Sequence, residues 1–277
     1  MNTLRSTVAA VAGLALAACG GDGTGPGSSL VIKFGAGSTG LGASSVLGLP
    51  SFSLGGGGGG GQDELIVMGT DGSSLTITDI RLIVDEFELE PVEVESCDVE
   101  PEPAECADFE ARFFFIDVPL GGEPLTVVNE EIPVGTYDEL EFEVEDVEVD
   151  ADDPEDVADA ALIEALFDTI RQTFPDWPAE ASMLVVGSYT PAPGGGTATS
   201  FSTYFEAEIE VEFDLDPPLV ITDNAGGSVV VDVSPDRWFI QADGSVLDLS
   251  AFDFTTTGQI VEFELEIEDG FDLEIET

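Results

Sequence analysis

The chain has 277 residues, with 58 acidic and 6 basic side chains, no histidine and a formal charge of −52. A polypeptide this acidic repels phosphate backbones and anionic lipid surfaces, so nucleic acid is excluded as a partner. The missing histidine removes Ser-His and Cys-His nucleophile pairs and most zinc and copper sites. Hydrophobic residues make up 43%, with 18 Phe among them, which is enough apolar surface for a folded core.

Arg5 and the amino group give a positive start, and Val8 to Ala18 is an uncharged apolar stretch. It is too short to span a bilayer as a helix and the right size for a secretory signal. It ends in Leu16-Ala17-Ala18-Cys19, which resembles a bacterial lipobox. The resemblance implies that residues 1–18 are a signal peptide removed before Cys19, with diacylglycerol joined to the Cys19 sulfur. Two or three acyl chains would anchor the protein stably. No Arg-Arg pair is present, so general secretion is expected rather than the twin-arginine route. Gly20, not Asp, follows Cys19, which by the same resemblance favours the outer membrane or cell surface. The expectation is an exported lipoprotein whose first partner is the membrane that holds its lipid. Residues 19–29 would form a flexible tether, and residues 30–277 an acidic β domain.

Leu30 to Phe34 reads as the first strand. Residues 35–63 are rich in Gly and Ser and include seven consecutive glycines, Gly55 to Gly61. Glycine loses too much backbone entropy to hold a regular element there, so a disordered loop is expected. Lys33, beside that loop, reads as a strand-edge charge. Leu75 to Leu89 follows as a long strand, or a strand pair, with a bulge near Val84 and Asp85 where the alternation slips. Cys97 and Cys106 are separated by eight residues without a positive charge. In an exported protein they are expected to form a disulfide; a metal pair would lack a third soft ligand.

Phe109 to Val118 is apolar on both faces and suits a central strand. In Tyr137 to Val149, Leu140, Phe142 and Val144 alternate with Glu139, Glu141, Glu143 and Glu145. Met183 to Tyr189, Phe205 to Leu215, Val229 to Val233 and Ile260 to Ile267 complete the strands, the second with outward Glu206, Glu208, Glu210, Glu212 and Asp214. Such a set predicts a mainly β fold, an antiparallel β-sandwich. One helix near 154–173, within a 153–175 insertion, interrupts it. Asp153 would cap it, Pro154 would open it, and Phe174-Pro175 would end it. Leu162, Leu166 and Ile170, with Ile163 and Phe167, would form its apolar face, covering a sheet edge or an open end.

Asp269-Gly270 is a turn signal. A three-residue loop there would pair Ile267 with Phe271, Leu265 with Leu273 and Phe263 with Ile275. Glu266 would then face Asp272, Glu264 would face Glu274, and Glu262 would face Glu276. Like charges directly opposite destabilise a strand pair, by ~0.2–1 kcal/mol each. Salt screening, raised carboxylate pKa values or bridging divalent cations such as Ca²⁺ can offset that cost. The local candidates for Ca²⁺ are Asp146, Asp150 and Asp152, although Pro154 and Glu155 stand where an EF-hand loop needs other residues. A carboxylate pair could serve a glycosidase, but with 58 acids no pair is singled out. Trp177, Trp238 and Tyr189 could stack on sugars; the tryptophans read more simply as core residues.

Two stretches carry a further likeness. One runs from Glu131-Ile132-Pro133-Val134-Gly135-Thr136-Tyr137 into Phe142, after Leu75 to Leu82 and a strand ending Ile116-Asp117-Val118. The other is Val231-Asp232-Val233-Ser234-Pro235-Asp236-Arg237-Trp238-Phe239, then Asp243-Gly244 and Leu247-Asp248. Together they resemble an uncharacterised family of bacterial lipoproteins with a carbohydrate-binding-like or prealbumin-like (Ig-like) β-sandwich, over about 75–250 with gaps. The resemblance implies that fold and brings no catalytic residue; the helix and the Gly-rich loop depart from it. The function expected is therefore binding or structure at the cell surface, not catalysis. Cations, glycans or basic protein surfaces are the candidate partners. The alternative is a carbohydrate-binding or carbohydrate-active lipoprotein using a carboxylate pair.

Overall fold

The computed structural model describes residues 29–36, 64–92, 108–121, 124–147, 154–222, 226–264 and 270–276. Residues 1–28, expected to hold a signal peptide, Cys19 and a tether, lie outside the described residues, as do the seven glycines, Cys97, Cys106, Asp150, Asp152 and Asp153.

The protein is mainly β. Its strands are β1 (Ser29–Ala36), β2 (Leu65–Met68), β3 (Ser74–Pro91), β4 (Phe109–Asp117), β5 (Leu125–Glu131) and β6 (Gly135–Val144). Helix α1 (Pro154–Thr173) precedes β7 (Met183–Thr190), β8 (Thr199–Ile221) and β9 (Gly227–Val233). A short helix α2 (Phe254–Thr257) and strands β10 (Val261–Glu264) and β11 (Phe271–Glu276) close the chain. One sheet has the order β11-β9-β1-β5, and the second runs β10-β8-β6-β3-β2 with β4 and β7 also paired to β3.

The sheets are mixed, which corrects the expected antiparallel arrangement: β1 runs parallel to β9 and β10 parallel to β8. The alternation of apolar residues fixes which face of a strand is buried, and it is the same for either direction of the neighbour. Both sheets contribute to one core. Phe142 of β6 meets Phe34 of β1 at 5.7 Å and Phe271 of β11 at 5.1 Å, both edge to face. All three rings are buried, and truncating such a ring typically costs about 3–5 kcal/mol.

The spine of the larger sheet is β3. Its first half lies between β2 and β7, and its second half between β4 and β6. Leu75 and Ile77, then Ile80, Leu82 and Val84, then Phe87 and Leu89 are buried in the core. The parity changes twice. At Thr78 the register against β7 shifts by one, and beside it Gly187, opposite Ile77, has no room for a side chain, since a Cβ would lie 2.2 Å from the Thr76 carbonyl oxygen. At Asp85 the alternation slips where the sequence predicted, yet the register against β4 is kept. There the partner strand slips too: Phe113, opposite Asp85, has φ +63°, a left-handed conformation costly for a bulky residue.

Four further expectations are corrected. Strand β4 pairs only with β3 among the described residues, so it is not central. Its two apolar faces arise because Phe113 and Phe115 pack into a second cluster under α1, with Ile83, Trp177, Leu184 and Tyr204. Helix α1 therefore covers a sheet face, not an edge or an open end; it does so with Ile163, Phe167 and Ile170, while Leu162 is 58% exposed. Strand β1 continues through Gly35 and Ala36 and lies between β5 and β9, which makes Lys33 an interior-strand residue and not an edge charge. Among the described residues the final hairpin is not seen: β10 joins β8, whereas β11 joins β9 in the other sheet, with Phe271 opposite Val233 and Asp272 opposite Asp232; Leu265 and Ile267 lie outside the described residues. Gly270 makes the crossing at φ +134°, and a Cβ there would sit 2.6 Å from the Trp238 Nε1. In that register Glu274 and Glu276 stand opposite Val230 and Ser228.

The Pro-x-Gly-x-Tyr turn closes on itself. The Tyr137 hydroxyl donates to the Pro133 carbonyl at 2.8 Å, tying the entry of β6 while the ring is buried. Strand β2 was not foreseen: Leu65–Met68 is short and has only one strongly buried residue, Val67.

Candidate functional site

The outer face of the larger sheet carries the candidate site. Along Glu86–Glu90 of β3, Glu139–Val144 of β6 and Glu206–Asp214 of β8 the inward residues are Phe, Leu, Ile, Val and Ala, and the outward ones are Glu, with Asp214 at the end. The pairing brings these glutamates into register. Glu110 of β4 stands opposite Glu88 of β3, Glu88 opposite Glu141 of β6, and Glu141 opposite Glu212 of β8. The next row is Arg112, Glu86, Glu143 and Glu210, and a third is Glu90, Glu139 and Asp214. At the far edge Glu262 of β10 faces Glu206. Strands lie about 4.8 Å apart and same-face residues about 6.8 Å apart along a strand, so the rows form a carboxylate lattice.

Packing of like charges shows in the proton affinities. Burial, then Asp108 and the neighbouring glutamates, push Glu88 up to about 7. Burial, then Glu145, Glu141, Glu86 and Glu210, push Glu143 up to about 7. Glu86, Glu139, Glu141, Glu145 and Glu206 are raised too, each first by burial and then by adjacent charges. Glu210, whose carboxylate oxygen lies within 4.8 Å of that of Glu141, is among the neighbours that raise Glu141.

Three groups bring one carboxylate oxygen from each member within 4.8 Å of the others: Asp85, Glu86 and Glu143; Glu88, Glu90 and Glu141; Glu141, Glu143 and Glu210. Hard oxygen donors at that spacing suit Ca²⁺ better than a soft metal. Arg112 breaks the lattice at its edge. It donates to Asp159 of α1 at 2.7 Å, lies 3.4 Å from Glu110 and 3.7 Å from Asp85, and sits over the Phe113 ring at 4.8 Å. One cation thus pins the helix to the sheet and neutralises part of the row beside it.

Beyond the apolar cluster under α1 the same face changes chemistry. There β3, β7 and β8 present Thr76, Ser188 and Ser200 in one cross-strand row. The outer face is therefore carboxylate at one end, apolar and covered by α1 in the middle, and hydroxyl at the other end.

Of the residues proposed from sequence for Ca²⁺, Asp146 follows β6 and belongs to none of the three carboxylate groups among the described residues; its charge contributes to the raised values at Glu145 and Glu206. Trp177 and Trp238 are buried, as expected for core residues, and the Trp177 indole donates to the Ala181 carbonyl at 2.7 Å. Tyr189 packs partly buried against the main core. Sequence reading placed Glu139 to Glu145 and Glu206 to Asp214 on outward faces, and the structure bears this out through Glu143 and along β8. It missed Glu86, Glu88, Glu90 and Glu110. Their signal was present, since Phe87 and Leu89 alternate with the β3 acids, but the slip at Asp85 hid the phase.

No family model matches the chain, and no curated protein matches it. Among solved structures it is similar to MbnP from Methylosinus trichosporium, with a TM-score of 0.38 and 13% identity, covering 90% of this chain and 98% of that one.

Proposed function

We propose that the protein is an exported, lipid-anchored β-sandwich of prealbumin-like kind that serves a binding or structural role at the cell surface. Its acidic sheet face would hold divalent cations, Ca²⁺ foremost. The observation that carries this reading is the row Glu110, Glu88, Glu141 and Glu212, four glutamates in register across four strands. Such a row is unfavourable by itself, at about 0.2–1 kcal/mol for each facing pair. A shared divalent ion converts the repulsion into coordination, and a ligand that binds only the folded state stabilises it, by about 2.7 kcal/mol at one hundred times its Kd. The role is not catalytic in this reading: the lattice repeats one environment over many residues instead of setting a single pair apart.

The address rests on the Leu16-Ala17-Ala18-Cys19 segment. Labelling with radioactive palmitate should mark the native chain and leave Cys19→Ser unmarked and free of the membrane fraction; an unlabelled, cytosolic native chain would refute the anchor. The cation reading is tested by calorimetric titration with CaCl₂. The native protein should bind several ions, and Glu141→Gln with Glu143→Gln should remove the tightest of them. Heats equal to those of dilution would refute it.

A further inference from the structure

We propose that the hydroxyl end of the outer sheet face is a binding groove for a neutral glycan, separate from the acidic lattice and going beyond the cation-binding reading. A groove of about 480 Å³ lies there, between the sheet surface, the Asp253–Thr255 turn and Glu64. Its floor is the row Thr76, Ser188 and Ser200, with Ser202 beside it. Among the described residues none of these four hydroxyls has a hydrogen-bond partner in the protein, whereas the nearby Thr78 hydroxyl is used by the Val186 carbonyl at 3.3 Å.

Four open hydroxyls on adjacent strands, each able to donate and accept, match a ligand whose own groups do both, and that is the chemistry of a sugar ring. Val186 lies among them and offers an apolar contact for the C–H face of a pyranose. The wall is rigid: Asp253 accepts from the Ser202 backbone N–H at 3.1 Å and from the Thr255 and Thr256 hydroxyls at 2.5 and 2.7 Å. A preset wall lowers the ordering cost of binding.

Charge decides the ligand class. The chain carries −52 overall, and Asp253 and Glu64 flank the groove, so an anionic ligand is repelled. A cationic one would be drawn instead to the denser carboxylates at the other end of the face. An uncharged polyol is repelled by neither. The apolar cluster beneath α1 separates the two ends, so both could be occupied together.

The test is a glycan array followed by calorimetry with the full-length chain in detergent and EDTA, using neutral hexasaccharides (maltohexaose, cellohexaose and mannohexaose) and a sulfated one. At least one neutral glycan should bind. Ser188→Ala with Ser200→Ala should weaken it about tenfold or more, the scale of one or two lost hydrogen bonds, with an unchanged melting temperature. Thr76→Val, which keeps shape and removes only a hydroxyl, should weaken it in the same direction, and Glu141→Gln should leave it as it is. No binding of any neutral glycan, binding confined to the sulfated one, or affinity untouched by the hydroxyl substitutions would overturn the proposal.

Discussion

Glu141 of β6 stands directly across from Glu88 of β3, and both are half-buried. Neither has a cation opposite it in its row, because the nearest guanidinium, that of Arg112, belongs to the adjacent row. Two facing carboxyl groups so placed share their environment with the acids above and below, and the protein holds protons there at a pH where an isolated glutamate has lost them.

This fixes the sign of the pH dependence. Glu88 and Glu143 are raised from an ordinary 4.5 to about 7 in the folded state. The unfolded chain releases these protons first, so stability is lost as pH rises from about 4.5 through about 7. Asp253 works in the opposite sense. Although burial opposes it, the hydroxyls of Thr255 and Thr256 and the Ser202 N–H lower its pKa, so its contribution is lost in stronger acid. Denaturant melts without divalent ions should give a stability maximum on the acidic side of neutrality. Glu88→Gln with Glu143→Gln should flatten the decline between pH 5 and 8, being more stable than the native protein at pH 8 and equal at pH 5. A native profile that rises through that window would contradict the lattice.

Arg112 offers a second measurement. Its Nη1 donates to Asp159 at 2.7 Å while its plane covers Phe113 at 4.8 Å. Arg112→Met keeps the aliphatic stem and removes the charge. We expect a loss of about 1–2 kcal/mol, discounted because the pair is partly solvated, and faster amide exchange in α1. Arg171, stacked on Phe167 of its own helix at 4.9 Å, makes no bridge to the sheet among the described residues, and Arg171→Met should leave the exchange of α1 nearly unchanged. Equal effects of the two substitutions would show that Arg112 is not the pin.

The sequence revealed faces better than neighbours. Leu140, Phe142 and Val144 alternate with Glu139, Glu141 and Glu143, and period two is enough to say which side is wet. Nothing in that period says that β6 lies between β3 and β8, and the register that builds the glutamate rows comes only from this choice. The last strands show the same limit. Asp269-Gly270 fits a hairpin turn by composition, yet Gly270 serves a close approach to Trp238 while the chain changes sheets. On β4 the Phe-rich run signalled burial on two faces correctly, but the cover on one of them is α1 and not a second strand. Helix bounds were legible because Pro154 and Phe174-Pro175 mark them locally, whereas the direction of its apolar face depended on the long-range partners Ile83 and Leu184.

The most direct measurement compares thermal melting at pH 7.5 in about 5 mM CaCl₂ with melting in NaCl of equal ionic strength, where nonspecific screening is the same. Coordination by the rows predicts a melting temperature several degrees higher in CaCl₂, on the scale of about 2–4 °C per kcal/mol for a domain of this size. The difference should vanish in the Glu141→Gln, Glu143→Gln, Glu210→Gln variant. Identical shifts in the two salts would leave screening as the whole explanation and contradict cation binding by the lattice.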